Sequence, residues 1–273
     1  MADELLDNAD PQSENADVAA AGRQRGTHMG FTRTLATILF VIALPVALVT
    51  SNIRVVINSP LTYDYAFDRY DAEAATGLSR ADLDSVAGGL RGYFNNDEDT
   101  FYQTVTEDGL EGPVFNARET RHLQDVKWLI GWVNRVQEVS IVFVLAYVVA
   151  FFIWARDGNV RQLAMHCLAG LGVGLAALVF VGIVGLIGFD AAWDRFHTIV
   201  FPNNFWLLNP RTDQLIQMFP EPFWRDMTIL VGFMSAVEVL LIGAASTVYL
   251  LASRTERRRL SRSVPIASNT QAA

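Results

Sequence analysis

The sequence predicts an all-α membrane protein: four transmembrane helices with a mixed, mainly helical extracytoplasmic cap. Hydrophobic residues make up 51% of the chain and charged ones only 18%, outside the usual balance of a soluble domain. Four apolar stretches each reach the roughly 20 residues needed to cross the hydrocarbon core of a bilayer. Arginines gather at alternate ends of those stretches, as the positive-inside bias requires.

Residues 1–32 are expected to form a disordered cytoplasmic leader, because acids and amides outnumber large apolar groups and burial cannot offset the ordering entropy. So long a polar start also makes 33–53 a first transmembrane helix rather than a signal peptide, whose start is short and basic. The segment 54–127 is then extracytoplasmic. Within it Ser79 and Asp82 have capping-box spacing, and Leu83, Val86, Leu90 and Tyr93 recur at intervals of three and four. These predict an amphipathic helix over 79–94. "FYQTVTEDGLEGPVF" then allows a short strand or hairpin ahead of Gly112 and Pro113.

Asn116 and Glu119 repeat the capping signal, and no proline interrupts the chain from there to Trp154. A single helix over 117–155 would be roughly 58 Å long against about 30 Å of hydrocarbon, so it must protrude from the membrane. Its transmembrane part is 128–155, with Trp128 and Trp132 at one interface and Trp154 at the other. A cytoplasmic loop, 156–162, leads to the third span, 163–189. An extracytoplasmic interfacial loop, 190–226, precedes the fourth span, 227–252, and a basic cytoplasmic tail, 253–273. The arginine groups (23, 25 and 33; 156 and 161; 254, 257, 258, 259 and 262) put both termini in the cytoplasm.

The two long connections therefore meet on the outer face, where residues 56–127 carry 14 acidic and 6 basic side chains. Taken as a whole, that segment is too acidic for an anionic-lipid or nucleic-acid docking surface. Cys167 is the sole cysteine and cannot form an intramolecular disulfide. No phosphate-binding glycine loop, Cys-x-x-Cys pair or His-Glu-x-x-His helix is present, so neither cofactor nor metal is expected.

Candidate chemistry concentrates in two places. Glu119, His122 and Asp125 share one helical face within an arc of about 120°, with His122 about 9 Å above Trp128 by helical rise. A carboxylate beside an imidazole sets its tautomer and raises its basicity, as a general base needs; local ion pairs with Arg118, Arg121 and Lys127 would explain the same residues without chemistry. His197 follows Trp193 by four residues and also suits an interfacial belt. Of four histidines, however, only His122 and His197 fall on the outer face near the bilayer. Asn204, Trp206, Asn209, Asp213 and Glu221 mark a loop in which Pro202, Pro210, Pro220 and Pro222 prevent a long helix. Such a loop suits an acyl-bearing ligand, and equally a simple cap on a bundle. In the fourth span Glu238 is either functional or a protonated, hydrogen-bonded structural group. Arg135 and Glu138 are candidates to pair or to line a wet cavity.

"RETRHLQDVKWL" and "FHTIVFPNNFWLLNPRTDQLIQMFPEPFWRD" resemble the signature stretches of a bacterial four-span membrane family that includes the lipoprotein intramolecular transacylases. The resemblance implies a plasma-membrane enzyme whose active site faces outward. Its implied reaction moves the sn-2 acyl chain of a diacylglyceryl lipoprotein cysteine to that cysteine's own α-amine. The family's two implicated histidines match His122 and His197. On this reading His122, oriented by Glu119 or Asp125, is the base. His197 and Asn204 donate to the oxyanion or leaving oxygen, and Trp206, Asn209 and Glu221 join the substrate site. The expected partner is a diacylglyceryl lipoprotein or a membrane lipid. Two rival readings are a non-enzymatic protein that binds lipoproteins or aids assembly, and a metal held by Glu119, His122, Asp125 and His197. The second lacks the further Glu-x-x-His that helical metal sites use.

Overall fold

The computed structural model describes residues 11–107, 110–153 and 159–263. The expectations for residues 1–10, for Trp154 and Arg156, and for the tail beyond Ser263 lie outside that range. The described elements are α1 (Pro11–Asn58), α2 (Pro60–Arg69), α3 (Ala72–Thr76), α4 (Arg80–Tyr93), β1 (Thr104–Glu107), β2 (Leu110–Pro113), α5 (Ala117–Ile153), α6 (Asn159–Val200), α7 (Gln214–Met218) and α8 (Glu221–Ser263). Helices α1, α5, α6 and α8 each contain an apolar stretch long enough to cross a membrane. The protein is therefore a multi-pass membrane protein. The exposure of Val142, Phe180, Leu186 and Leu240 is what a lipid-facing surface requires.

The leader, expected without structure, is helix from Pro11 onward and continuous with the first span. Extending an existing helix fixes one residue per hydrogen bond and needs no new nucleus, and proline is favourable at a first helical position.

The bundle packs through small residues and one aromatic stack. Phe40 on α1 is fully buried against Tyr147 on α5, with ring centroids 4.3 Å apart. Gly170 and Gly174, one turn apart on α6, let α1 approach closely, since a Cβ on Gly174 would lie 2.8 Å from Pro45 Cβ. Polar groups inside the bundle find partners across helices. Asn52 Nδ2 donates to Ser235 Oγ and to Glu238 Oε2, both at 3.0 Å, which makes Glu238 a hydrogen-bonded group of the bundle. Glu138 pairs with Arg54 at 3.2 Å rather than with Arg135, whose guanidinium lies 5.7 Å from the Trp132 ring centroid.

Both long connections build the cap at one end of the bundle. Ser79 caps α4, its Oγ accepting the Asp82 N–H at 3.2 Å and donating to the Asp82 carboxylate at 2.6 Å. Leu83, Val86, Leu90 and Tyr93 are all buried, as the periodicity predicts. They pack in one cluster with Phe101, Phe115, Leu123, Met218 and Phe219, so both connections share a core. The hairpin forms where expected, β1 antiparallel to β2 with Thr104 opposite Pro113. In α6 the helical dihedrals lapse at Gly188, which has extended backbone, and a last segment to Val200 carries His197 into the cap.

Candidate active site

The start of α5 is held from both sides. Asn116 Oδ1 accepts the N–H groups of Arg118 at 2.9 Å and Glu119 at 3.1 Å, and Glu119 Oε2 accepts the Asn116 N–H at 2.7 Å. This reciprocal arrangement satisfies amide groups that a helix start leaves unpaired. The other carboxylate oxygen of Glu119, a residue only 1% exposed, accepts the N–H of Leu215 at 2.7 Å, at the start of α7. Around it Asn116 Nδ2 donates to Asp213 Oδ1 at 3.0 Å, and Arg118 Nη1 donates to the Leu207 carbonyl at 2.9 Å. The second connection is thereby sewn to the first turns of α5.

One turn on, His122 is buried, and its ring centroid lies 5.9 Å from that of His197 with the planes inclined at 41°. The Phe201 ring stands edge-on to His122 at 5.3 Å. His197 is enclosed by Trp193 at 4.6 Å, Phe196 at 5.2 Å, Phe201 at 5.6 Å and Trp206, which stacks on it at 4.9 Å. His197 Nδ1 lies 2.9 Å from the Trp193 carbonyl oxygen. A carbonyl only accepts, so Nδ1 carries the proton and the neutral ring presents its lone pair at Nε2. His122 Nδ1 is buried with no hydrogen-bond partner, an exception among buried polar atoms that it shares with Arg91 Nε and Gln214 Oε1.

The expected trio does not act as one unit. Both oxygens of Glu119 are committed to backbone N–H groups, and Asp125 Oδ2 accepts Asn203 Nδ2 at 2.9 Å. Among the described residues no hydrogen bond joins either carboxylate to His122. Helical spacing brought the three onto one face, but the capping box and the facing loop claimed the two acids. Trp206 lies beside the pair, its ring stacked on His197. Asn204 is exposed and contributes a backbone carbonyl to the Leu207 N–H, while its neighbour Asn203 reaches α5. Asn209 shapes the next turn, its Oδ1 accepting the Arg211 N–H and its carbonyl the Asp213 N–H. Glu221 opens α8 and faces Asp190 and Asp194 on α6. Sequence reasoning missed Phe196, Phe201 and Asn203. The i, i+4, i+8 series Trp193, His197, Phe201 was the available signal. No group of three His, Cys, Asp or Glu side chains among the described residues is placed to hold a metal ion.

A sequence model of the lipoprotein intramolecular transacylase Lit matches residues 38–224, which span α1 to the start of α8 and include both histidines. The chain belongs to the Lit family. Its fold is similar to that of the membrane integral lipoprotein intramolecular transacylase Lit from Bacillus cereus, with a TM-score of 0.69 at 15% identity over 83% of this chain and 99% of that one. A form of the same Lit protein with one histidine replaced by arginine superposes with a TM-score of 0.67 at 16% identity, over 88% of this chain and 99% of that one. An uncharacterised protein of Aquifex aeolicus is 28% identical over 128 residues, 47% of this chain, and the match spans 54% of that relative.

Proposed function

We propose that this chain is a lipoprotein intramolecular transacylase, moving the sn-2 acyl chain of a diacylglyceryl-modified N-terminal cysteine to that cysteine's α-amine at the outer face of a bacterial plasma membrane. The observation that carries the reading is the buried His122–His197 pair, one imidazole oriented by a backbone carbonyl and the other with a buried, unpartnered nitrogen. Family membership supports the reaction class. Arginines flanking the spans at the end opposite the cap support cytoplasmic termini and an outward-facing site.

The reaction needs a base, an oxyanion donor and an acid for the departing oxygen. The hydrogen bond to Trp193 suits His197, rather than His122, to the role of base, because the oriented ring aims a lone pair from Nε2. The neutral α-amine attacks the sn-2 ester carbonyl, a C–N bond forms, and His197 Nε2 takes the amine proton. An N–H of neutral His122 donates to the tetrahedral oxyanion. Collapse breaks the bond to the glyceryl oxygen, which receives the proton back from His197, giving an amide and a free sn-2 hydroxyl. Attacking and leaving groups belong to one substrate, so proximity is built in. Trp193, Phe196, Phe201 and Trp206 keep water from the intermediate and offer an apolar wall to the acyl chain.

Mass spectrometry of the N-terminal peptide of a reporter lipoprotein, co-expressed in cells lacking other N-acylating enzymes, tests this. An acyl chain on the amine with this protein and not with its His122→Ala or His197→Ala variants is expected. A free amine in the presence of folded, membrane-inserted protein overturns the assignment.

A further inference from the structure

A second groove lies on the far side of α8 from the histidines. Trp224 faces α6, where it stacks on Trp193 with centroids 5.3 Å apart. Asp226, Ile229 and Phe233 lie about 140–200° round the helix from it and line a cavity of about 790 Å³ between α1, α2 and α8. That volume is within the range of small-ligand sites. Along α8 the groove runs about 12 Å from Arg225 to Phe233, and its lower wall is apolar, with Val55, Leu230 and Phe233.

The mouth has the opposite character. Arg69 from α2 and Arg225 from α8 both line it, a local exception to the net acidic balance that makes the first connection as a whole unfit to dock anionic lipid. The one carboxylate there, Asp226, already accepts the hydroxyls of Tyr65 at 2.7 Å and Tyr70 at 2.6 Å from its Oδ2. Burial and that carboxylate push the Tyr70 phenol up to about 12, so it stays a donor to Asp226. Asp226 Oδ1 lies 3.9 Å from Arg225 Nε, too far for a hydrogen bond. Arg69 also lies over the Tyr70 ring, 5.6 Å from its centroid, and Arg225 is near Glu221 on its own helix. The mouth thus holds two guanidiniums and one carboxylate largely committed to tyrosines, above a slot lined by hydrocarbon.

We propose that this groove binds an anionic glycerophospholipid of the surrounding bilayer, its phosphate between Arg69 and Arg225 and one acyl chain against Val55, Leu230 and Phe233. Guanidinium forks match phosphate oxygens, and the apolar wall favours a lipid over free phosphate. The site is separate from the histidines, and its test does not use acyl transfer.

Native mass spectrometry of the protein released from micelles doped with phosphatidylglycerol, phosphatidylcholine or diacylglycerol reads retained lipid directly. The unmodified protein is expected to retain a single phosphatidylglycerol and to bind it roughly 30-fold more tightly than the Arg69→Gln/Arg225→Gln variant does. Both arginines are exposed, so that variant keeps the fold. Leu230→Trp, which fills the slot and leaves the charges, should lose the lipid while melting as the unmodified protein does. Equal retention by the unmodified protein and both variants, or diacylglycerol held as well as phosphatidylglycerol, would overturn the proposal.

Discussion

Replacing Glu119 by glutamine separates a structural clamp from a catalytic carboxylate. Its two oxygens each accept one backbone N–H at 2.7 Å, from Asn116 and from Leu215. The amide keeps one carbonyl oxygen and turns the other position into a donor, so one buried N–H loses its acceptor and meets another N–H. An unsatisfied buried donor costs about 1–3 kcal/mol, and alanine, which frees both, roughly twice that. For a chain of this size 1 kcal/mol moves the melting temperature by about 2–4 °C. Glu119→Gln should therefore melt about 2–12 °C lower in detergent micelles, and acyl transfer per folded molecule should fall only modestly. Thermal unfolding beside the reporter assay reads both quantities. An unchanged melting temperature with transfer abolished would refute the clamp and return Glu119 to the imidazole.

His197→Ala should lose about 10²–10⁴-fold in transfer rate, the usual worth of a positioned acid or base, and His122→Ala about 10²–10³-fold, the usual worth of an oxyanion donor, each with melting unchanged within a few degrees. Leu90, 1% exposed in the core of the cap, should cost about 2–5 kcal/mol as alanine. That is read as a lower melting temperature. A Gly174→Leu variant forces a side chain into Pro45 and should destabilise the bundle by about 1–3 kcal/mol, seen as earlier thermal unfolding in micelles. Trp206→Ala removes the ring stacked on His197 and should lower transfer more than stability, measured by the same pair of assays.

Local pattern made much of this legible. Apolar length gave the spans, Ser79 and Asp82 gave the start of α4, and Asn116 with Glu119 gave the start of α5. Topology singled out His122 and His197, which do meet. What failed was partner choice across distance. Glu119 and Asp125 share a face with His122, yet their partners, Leu215 and Asn203, lie about 80–100 residues away and are invisible to helical spacing. The same limit hid the partner of Glu138, whose cation, Arg54, comes from α1. Within the loop after Val200 no periodicity distinguishes Asn203 from Asn204, so the residue that reaches α5 could not be read from position alone. The helical leader escaped for a different reason: composition reports what a segment can bury, and a helix continued from a neighbouring span need not bury anything.

The central claim is that acyl donor and acceptor belong to one molecule. Purified protein given an equal mixture of unlabelled diacylglyceryl-cysteine peptide and peptide labelled in both the sn-2 acyl chain and the peptide decides it. The account predicts N-acylated products that are fully labelled or unlabelled, with no mixed species by fragmentation mass spectrometry. Mixed species would show transfer between molecules and contradict it, as would the absence of any N-acyl product.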